Sequence, residues 1–308
     1  LNNLPDSIAA QPRLRDANQR KAPALWDGPF IDIAGDTHRG RVRSRNEDAF
    51  LTSDLRRHLV FGQSSSAVGD GMPYAGGVQS KLLAVADGMG GAPGGHLASW
   101  VAVETLCRYV AEAMPWFGDL DDRAEIQLVE SLERAFATCQ DQVVAAAADN
   151  GLADEPVGTT LTAVYLAWPI AFLAHVGDSR AYLFRNQRLR RLTTDDTVAR
   201  RLVDRDLVGP DRVEQLPGRL SDILTNSIGG GDDALDIHVS RHELEPLDQL
   251  LLCTDGLTRH LSDFQIARVM SEAATAESLC RRLIEAALAE GGEDNISVVV
   301  ARASAGAS

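Results

Sequence analysis

The chain has 308 residues and a formal net charge of −14, and acidity on that scale excludes general nucleic-acid binding, which needs a basic face toward the phosphate backbone. A hydrophobic fraction of 44% excludes a disordered composition and suffices for a buried core, in one large domain or two small ones. The acidity has two readings, a solubility charge or carboxylates converging on cations, and composition does not choose between them.

Residues 1–29 are polar, carry Pro5, Pro12 and Pro23, and show no sustained period, so they are expected to form a tail or arm. Regular structure is expected from Phe30, with a strand over 30–34. Residues 62–77 are Gly- and Ser-rich and read as a loop, and 82–86 is a short apolar strand. The pattern then changes to helical period. A helix over 95–113 places Ala98, Val101, Ala102, Tyr109 and Val110 on one face. A second over 123–148 carries Leu128, Leu132, Ala135, Phe136, Cys139 and Val143, and Asn150-Gly151 ends it.

Runs 159–167 and 170–176, broken by Trp168-Pro169, predict a hairpin, and 181–184 adds a strand. Residues 204–231 are charged and interrupted by Gly and Pro, as in a loop. Strands follow over 235–239, 250–254 and 296–301, with helices over 262–270, capped by Ser262 or Asp263, and over 276–289. Several strands are almost continuously apolar, as expected where both faces are covered. The helices fall in two groups between blocks of strands, which favours a layered α+β domain over a doubly wound sheet.

Cys107, Cys139, Cys253 and Cys280 lie far apart in apolar runs and are expected to be buried free thiols, as suits a reducing compartment. No apolar run reaches the ~18–20 residues of a membrane span, and no signal peptide is visible. The expectation is a soluble, cytoplasmic chain with no membrane segment of its own. No heptad seam appears, which points to a monomer.

Acidic residues stand at the ends of the expected strands. Asn46-Glu47-Asp48 precedes one, and Asp87 opens Asp87-Gly88-Met89-Gly90-Gly91 after another. Asp178 and Asp255 each follow a strand, and Glu293-Asp294-Asn295 precedes the last. Each alone reads as turn chemistry. Together, strand ends of one packed sandwich bring carboxylates side by side, where they repel unless protonated, paired with bases or bound to cations. Carboxylates with backbone carbonyls suit hard cations such as Mg2+ or Mn2+, and the glycines allow the Gly88 carbonyl to approach one. Two cations sharing Asp87 would activate a bridging water for in-line displacement at phosphorus. Arg43 suits a bidentate grip on phosphate, whereas Arg39, Arg41 and Arg45 read as surface ion pairs. His96 and His175 lack metal-ligand spacing and read as structural, and Ser99 and Ser179 sit in no nucleophile-elbow pattern. The segment 88–95 lacks the Lys-Ser/Thr of a nucleotide-binding P-loop and reads as a tight strand-to-helix turn.

At these residues the chain resembles the metal-dependent serine/threonine phosphatases of type 2C, in their bacterial form. The matching segments, in the family's order, are Gly40-Arg41-Val42-Arg43 through Asn46-Glu47-Asp48, Val85-Ala86-Asp87-Gly88-Met89-Gly90-Gly91, Gly158-Thr159-Thr160, Val176-Gly177-Asp178-Ser179-Arg180, Thr254-Asp255-Gly256-Leu257 and Glu293-Asp294-Asn295-Ile296-Ser297. The resemblance covers roughly residues 30–302, read as one catalytic domain with a short tail at 303–308. It implies an α-β-β-α sandwich of two antiparallel sheets flanked by paired antiparallel helices. It implies that Asp87, Asp255 and Asp294 ligate one metal, that Glu47, Asp87 and the Gly88 carbonyl serve a second, and that a third, often present in bacterial members, uses Asp178 and Asp255. Asp48 would orient metal-bound water, Arg43 would bind the substrate phosphate, and 197–231 would form a flap.

By the same resemblance, the substrates would be phosphorylated proteins and the setting signalling, opposite a serine/threonine kinase. Attack by a metal-bridging hydroxide with no covalent phosphoenzyme is the expected chemistry. Met89 stands where some relatives from higher organisms carry a histidine proposed as general acid, and 62–77 looks longer than the family's usual connection. The rival readings are a binding module without activity, a phosphatase of small metabolites, and an acidic scaffold with coincidental turns.

Overall fold

The computed structural model describes residues 29–59, 74–91, 93–115, 121–209, 218–230, 235–272 and 275–305. In chain order, β1 (Ile31–His38), β2 (Ala49–Leu59), β3 (Tyr74–Ala86) and β4 (Gly88–Met89) precede the helices α1 (Gly94–Glu112) and α2 (Asp122–Asp149). Then come β5 (Gly158–Thr159), β6 (Leu161–Ala167), β7 (Ile170–Val176), β8 (Arg180–Arg185) and β9 (Arg188–Arg191). The short helices α3 (Val198–Asp204) and α4 (Gly218–Ser221) lead to β10 (His238–Glu243) and β11 (Gln249–Cys253). Last are α5 (Asp255–Thr258), α6 (Asp263–Glu272), α7 (Ala276–Ala289) and β12 (Ile296–Ala303).

Ten strands form two five-stranded sheets, ordered β1-β12-β11-β8-β9 and β10-β7-β6-β3-β2, and β4 pairs with β5; all these pairings are antiparallel. The α+β class and the sandwich expected from the sequence are what the chain adopts. Strand periodicity explains how the layers hold together. In β3, Leu82, Ala84 and Ala86 face one core while Leu83 and Val85 face another. The first core lies under α1 and α2 and takes Leu106, Leu132, Phe136 and Val143 from them. The second fills the space between the sheets, where Leu83, Val85 and Leu173 meet Leu250, Leu252 and Val299. The third lies under α6 and α7 and joins Tyr182, Leu251, Val298 and Val300 to Ile266, Leu279 and Leu283. Each central strand is therefore apolar on both faces although its neighbours run antiparallel.

The helices start where their caps direct. The Asp121 side chain accepts from Ala124 N at 2.8 Å, and Asp122 and Glu125 follow in the first turn of α2, where carboxylates favour the helix dipole. Thr275 and Ser278 exchange side-chain-to-backbone hydrogen bonds at the head of α7. The β6–β7 hairpin turns at Trp168-Pro169, across a cis peptide bond.

Some expectations fail. β10 runs three residues later than 235–239, because the apolar Leu235, Ile237 and Val239 pack on the helix-covered core while the pairing with β7 starts at His238. β9, an Arg-rich edge strand, gave no strand signal; it follows a tight turn with Asn186 and Gln187 at φ 51° and 63°, as two-residue hairpins require. Residues 74–77, read as loop, belong to β3. Ala303, read as tail, closes β12 by pairing with Ile31. Cys107 is exposed, since it falls beside the buried row Ala98, Ala102 and Leu106, whereas the other three cysteines are buried. Of the arm expected at 1–29, the loop expected at 62–77 and the flap expected at 197–231, residues 1–28, 62–73, 210–217 and 231 lie outside the described residues.

Candidate active site

The acidic strand ends meet at one edge of the sandwich. A cleft of about 210 Å3 is lined by Arg43, Glu47, Asp87, Gly88, Asp178, Asp255 and Asp294 together with Asp222, Arg259 and Asn295. It is continuous in its lining with a larger cleft of about 750 Å3, which shares Asp178, Asp222, Asp255 and Arg259. Size favours the larger cleft, but the carboxylates gather in the smaller one, so the chemistry is assigned there.

Local bonding fixes each acidic turn. At the end of β3, Asp87 N donates to Thr160 Oγ1 at 2.9 Å and Asp87 O accepts from Thr160 N at 2.9 Å. The Thr160 hydroxyl also shares a hydrogen bond with Ser179 Oγ at 2.7 Å and so ties the Asp87 turn to the Asp178 turn. The Glu47 backbone is held from both sides: its N–H donates to Asn295 Oδ1 at 2.8 Å, and its carbonyl accepts from Ser99 Oγ at 2.6 Å. Ser99 is thus a structural clamp. Asn295 Nδ2 also donates to the carbonyls of Arg39 (2.8 Å) and Arg45 (2.9 Å), stapling the loop before β2 to the start of β12.

Gly95 allows one close approach that matters. A Cβ there would lie 2.7 Å from Glu47 Oε2 and 2.9 Å from the Gly88 carbonyl oxygen. Those two oxygens therefore converge on a point that only a glycine at the head of α1 leaves open.

Asp48 is buried and does not line the cleft. Its Oδ2 accepts from Thr254 Oγ1 at 2.9 Å, while its Oδ1 is buried with no partner. Burial, then Asp255 and Asp294, push its carboxyl up to about 7, against hydrogen bonds from Ser297 and Thr254. Burial, followed by Asp255, raises Asp178 to about 8. Asp87 is raised well above the carboxylate range by burial and then by Asp255, Asp48 and Asp178. Asp255 is raised by burial, with Arg259 opposing, and its Oδ1 is also an unpartnered buried oxygen. The crowding of carboxylates foreseen in the sequence is real.

Two arginines answer part of that charge. Arg43 Nη2 lies 2.7 Å from Asp294 Oδ2. Arg259 Nη2 lies 2.6 Å from Asp255 Oδ2 and 3.2 Å from Asp222 Oδ1, and its Nη1 is 3.9 Å from Asp294 Oδ2. Among the described residues no group of three or more His, Cys, Asp or Glu side chains stands as a preformed metal cage. The donors nevertheless suit hard cations. They are all oxygens, one of them, Asp255 Oδ1, is buried without a partner, and Glu47 and the Gly88 carbonyl share an open cradle.

Sequence reasoning missed Arg259 and Asp222. Arg259 lies four residues after Asp255, a spacing that pairs opposite charges on a helical turn. Asp222 gave no signal, because the flap's shape was not legible. The flap's base closes by Val198 N donating to Ile223 O and by a bridge between Thr197 and Leu224, which sets Asp222 and Leu224 on the cleft. Arg39 and Arg41 do not form the expected surface ion pairs; their guanidiniums donate to the carbonyls of Ser44 and Leu288. His175 is structural as expected. The Thr194 carbonyl can only accept from its Nε2, so Nδ1 accepts from Thr162 Oγ1, and burial lowers its pKa to about 4.

The protein phosphatase 2C family model matches residues 67–294 of this chain. The serine/threonine protein phosphatase PstP of Mycobacterium tuberculosis is 33% identical over 271 residues, which make up 88% of this chain and 45% of that protein, so this chain spans under half of its length. The serine/threonine phosphatase stp of Listeria monocytogenes is 28% identical over 264 residues, 86% of this chain and 92% of that protein. In three dimensions, the crystal structure of the Mycobacterium tuberculosis phosphatase PstP/Ppp superposes with a TM-score of 0.70 at 29% identity, covering 89% of this chain and 99% of that one. The PstP catalytic domain in complex with two manganese ions gives 0.67 at 29% identity, covering 89% of this chain and 98% of that one. A shared fold, a matching family model over most of the length and a common order of acidic motifs lead to one conclusion: the chain belongs to the protein phosphatase 2C family.

Proposed function

We propose that this chain is a metal-dependent protein serine/threonine phosphatase, with residues 30–302 as its single catalytic domain. Its reaction is hydrolysis of a phosphoserine or phosphothreonine ester to the free hydroxyl and inorganic phosphate. The observation that carries this reading is the cleft where Asp87, Asp178 and Asp255 stand part-buried and crowded, with raised pKa values, beside two arginines. Crowded, part-buried carboxylates in such number have use for cations, and a guanidinium beside them has use for an anion.

In this reading Asp87, Asp255 and Asp294 hold one Mn2+ or Mg2+, and Glu47, Asp87 and the Gly88 carbonyl hold another. Asp178 with Asp255 is the place for a third. Bound there, the cations supply water activation and charge neutralisation at phosphorus. Asp48, held by Thr254 with one oxygen unpartnered, orients the attacking water and receives its proton. Arg43 exchanges its hold on Asp294 for two phosphate oxygens. Met89 cannot protonate the leaving alkoxide, so that proton comes from water or from another group. The substrates are phosphorylated proteins, and the role is to oppose a serine/threonine kinase in the cytoplasm.

The test is phosphate release from a phosphothreonine peptide with Mn2+ and then with EDTA. Release that needs the metal is expected, as is its loss in Asp87→Ala and Asp255→Ala with the fold retained. Arg43→Ala is expected to lower kcat/KM roughly ten- to hundredfold, mainly through KM. A folded sample inert with every divalent metal overturns the reading and leaves a binding module.

A further inference from the structure

Arg259 holds a position that the family resemblance does not use. It lines the carboxylate cleft, the 750 Å3 cleft beside it, and a third of about 550 Å3 that also touches Val42, Arg43, His260 and Glu293. It stands where the three meet. Its backbone N donates to Asp255 O at 2.8 Å, so the turn of α5 ties its stem one helical turn from Asp255. Its guanidinium spans Asp255 at 2.6 Å, Asp222 at 3.2 Å and Asp294 at 3.9 Å.

Two of those three carboxylates are ones assigned above to cations. Once Asp255 and Asp294 turn to a divalent ion, Arg259 keeps only Asp222 and faces new positive charge at close range. Withdrawal into bulk solvent is limited by the tether at Asp255 and by the pairing to Asp222. The charge is then balanced by an anion that arrives with the substrate, and a planar fork of donors suits two oxygens of a phosphate monoester. Arg43 stands across Asp294 from it and makes the same kind of exchange.

We propose that Arg259 is a second phosphate-gripping residue beside Arg43, parked on Asp255 and Asp294 until cations take those carboxylates. The inference rests on the phosphatase reading given above. It makes Arg259 both a competitor of the metal in the empty cleft and a partner of the phosphate in the loaded one.

The experiment uses the whole chain as wild type, Arg259→Gln and Arg259→Lys at pH 8. Mn2+ binding is read by calorimetry without substrate, and inorganic phosphate binding is read on the Mn2+-loaded protein. Arg259→Gln is expected to bind Mn2+ roughly tenfold tighter, because no cation must be displaced, and inorganic phosphate roughly tenfold weaker. Arg259→Lys is expected to restore the wild-type Mn2+ affinity, while its phosphate affinity stays below wild type because the fork is gone. Unchanged phosphate affinity in both variants overturns the inference and leaves a structural counter-ion; unchanged Mn2+ affinity in Arg259→Gln overturns the parked state. Should Arg259→Gln fail to fold, wild-type phosphate affinity in Arg259→Lys is enough to overturn it. Wild-type protein that releases no phosphate from a phosphothreonine peptide and binds none refutes the phosphatase reading itself, whereas an active wild type with unaltered variants refutes only the role of Arg259.

Discussion

Asp48 and Asp178 carry the clearest consequence at the level of single residues. Their folded pKa values, about 7 and about 8, stand above those of the unfolded chain. Where a folded acid holds its proton more tightly than the unfolded one, stability is greatest at low pH and is lost as pH rises through the folded value. His175, lowered to about 4 by burial, is neutral in both states above pH ~6.5 and adds nothing there. The metal-stripped protein is therefore expected to lose stability from pH 6.5 to 8, and added Mn2+ to reverse that loss increasingly with pH. Melting temperatures with EDTA and with Mn2+ across that range check it; a flat EDTA profile refutes it. At pH 8 in EDTA, Asp178→Asn is expected to gain ~2 kcal/mol or more in urea unfolding, since it removes a buried charge.

At the level of elements, most of the architecture was legible and some was not, for identifiable reasons. The helices α1, α2 and α7 were found within a residue or so, because buried side chains recur at three and four, and in α2 and α7 the caps are explicit as well. The apolar strands β6, β7 and β11 were found for the same reason of pattern. β9 and β10 were missed or displaced because edge strands carry polar side chains, and their pairing is a property of neighbours distant in sequence. Glu47, Asp87, Asp178, Asp255 and Asp294 were named from strand-end position and family order, whereas Asp222, on the flap, was not. What position could not tell is who holds them in place, and Asn295 is the case in point. Its amide bonds to Glu47 N, Arg39 O and Arg45 O, three backbone groups of a loop some 250 residues away in sequence. Asn295→Ala strands all three and is expected to cost on the order of 3 kcal/mol, with weaker Mn2+ binding because the Glu47 turn loosens. Urea unfolding with Mn2+ calorimetry measures both; a loss of stability without any loss of metal affinity would separate the staple from the cleft.

Across the whole molecule, three cores divide the labour. The two outer cores attach helices, and the middle one joins the sheets whose ends carry opposite halves of the cleft. Asp87 comes from β3 in one sheet, and Asp255 and Asp294 border β11 and β12 in the other. Leu83 and Leu132 are both fully buried leucines, the first between the sheets and the second on the inner face of α2. Truncating either to Ala is expected to cost ~2–5 kcal/mol. Only Leu83→Ala is expected to weaken Mn2+ binding as well, roughly tenfold, since small displacements of ligands are costly. Equal loss of metal affinity in both variants, read by calorimetry on folded protein, would refute this division.

The middle core thus works as a caliper. Its jaws are the turns that carry Asp87 on one side and Asp255 and Asp294 on the other, and the setting of the screw is the thickness of interleaved leucine and valine lower down, where packed sheets stand ~10 Å apart. A turn can be rebuilt locally, but the gap between the jaws cannot be adjusted without moving one sheet as a body.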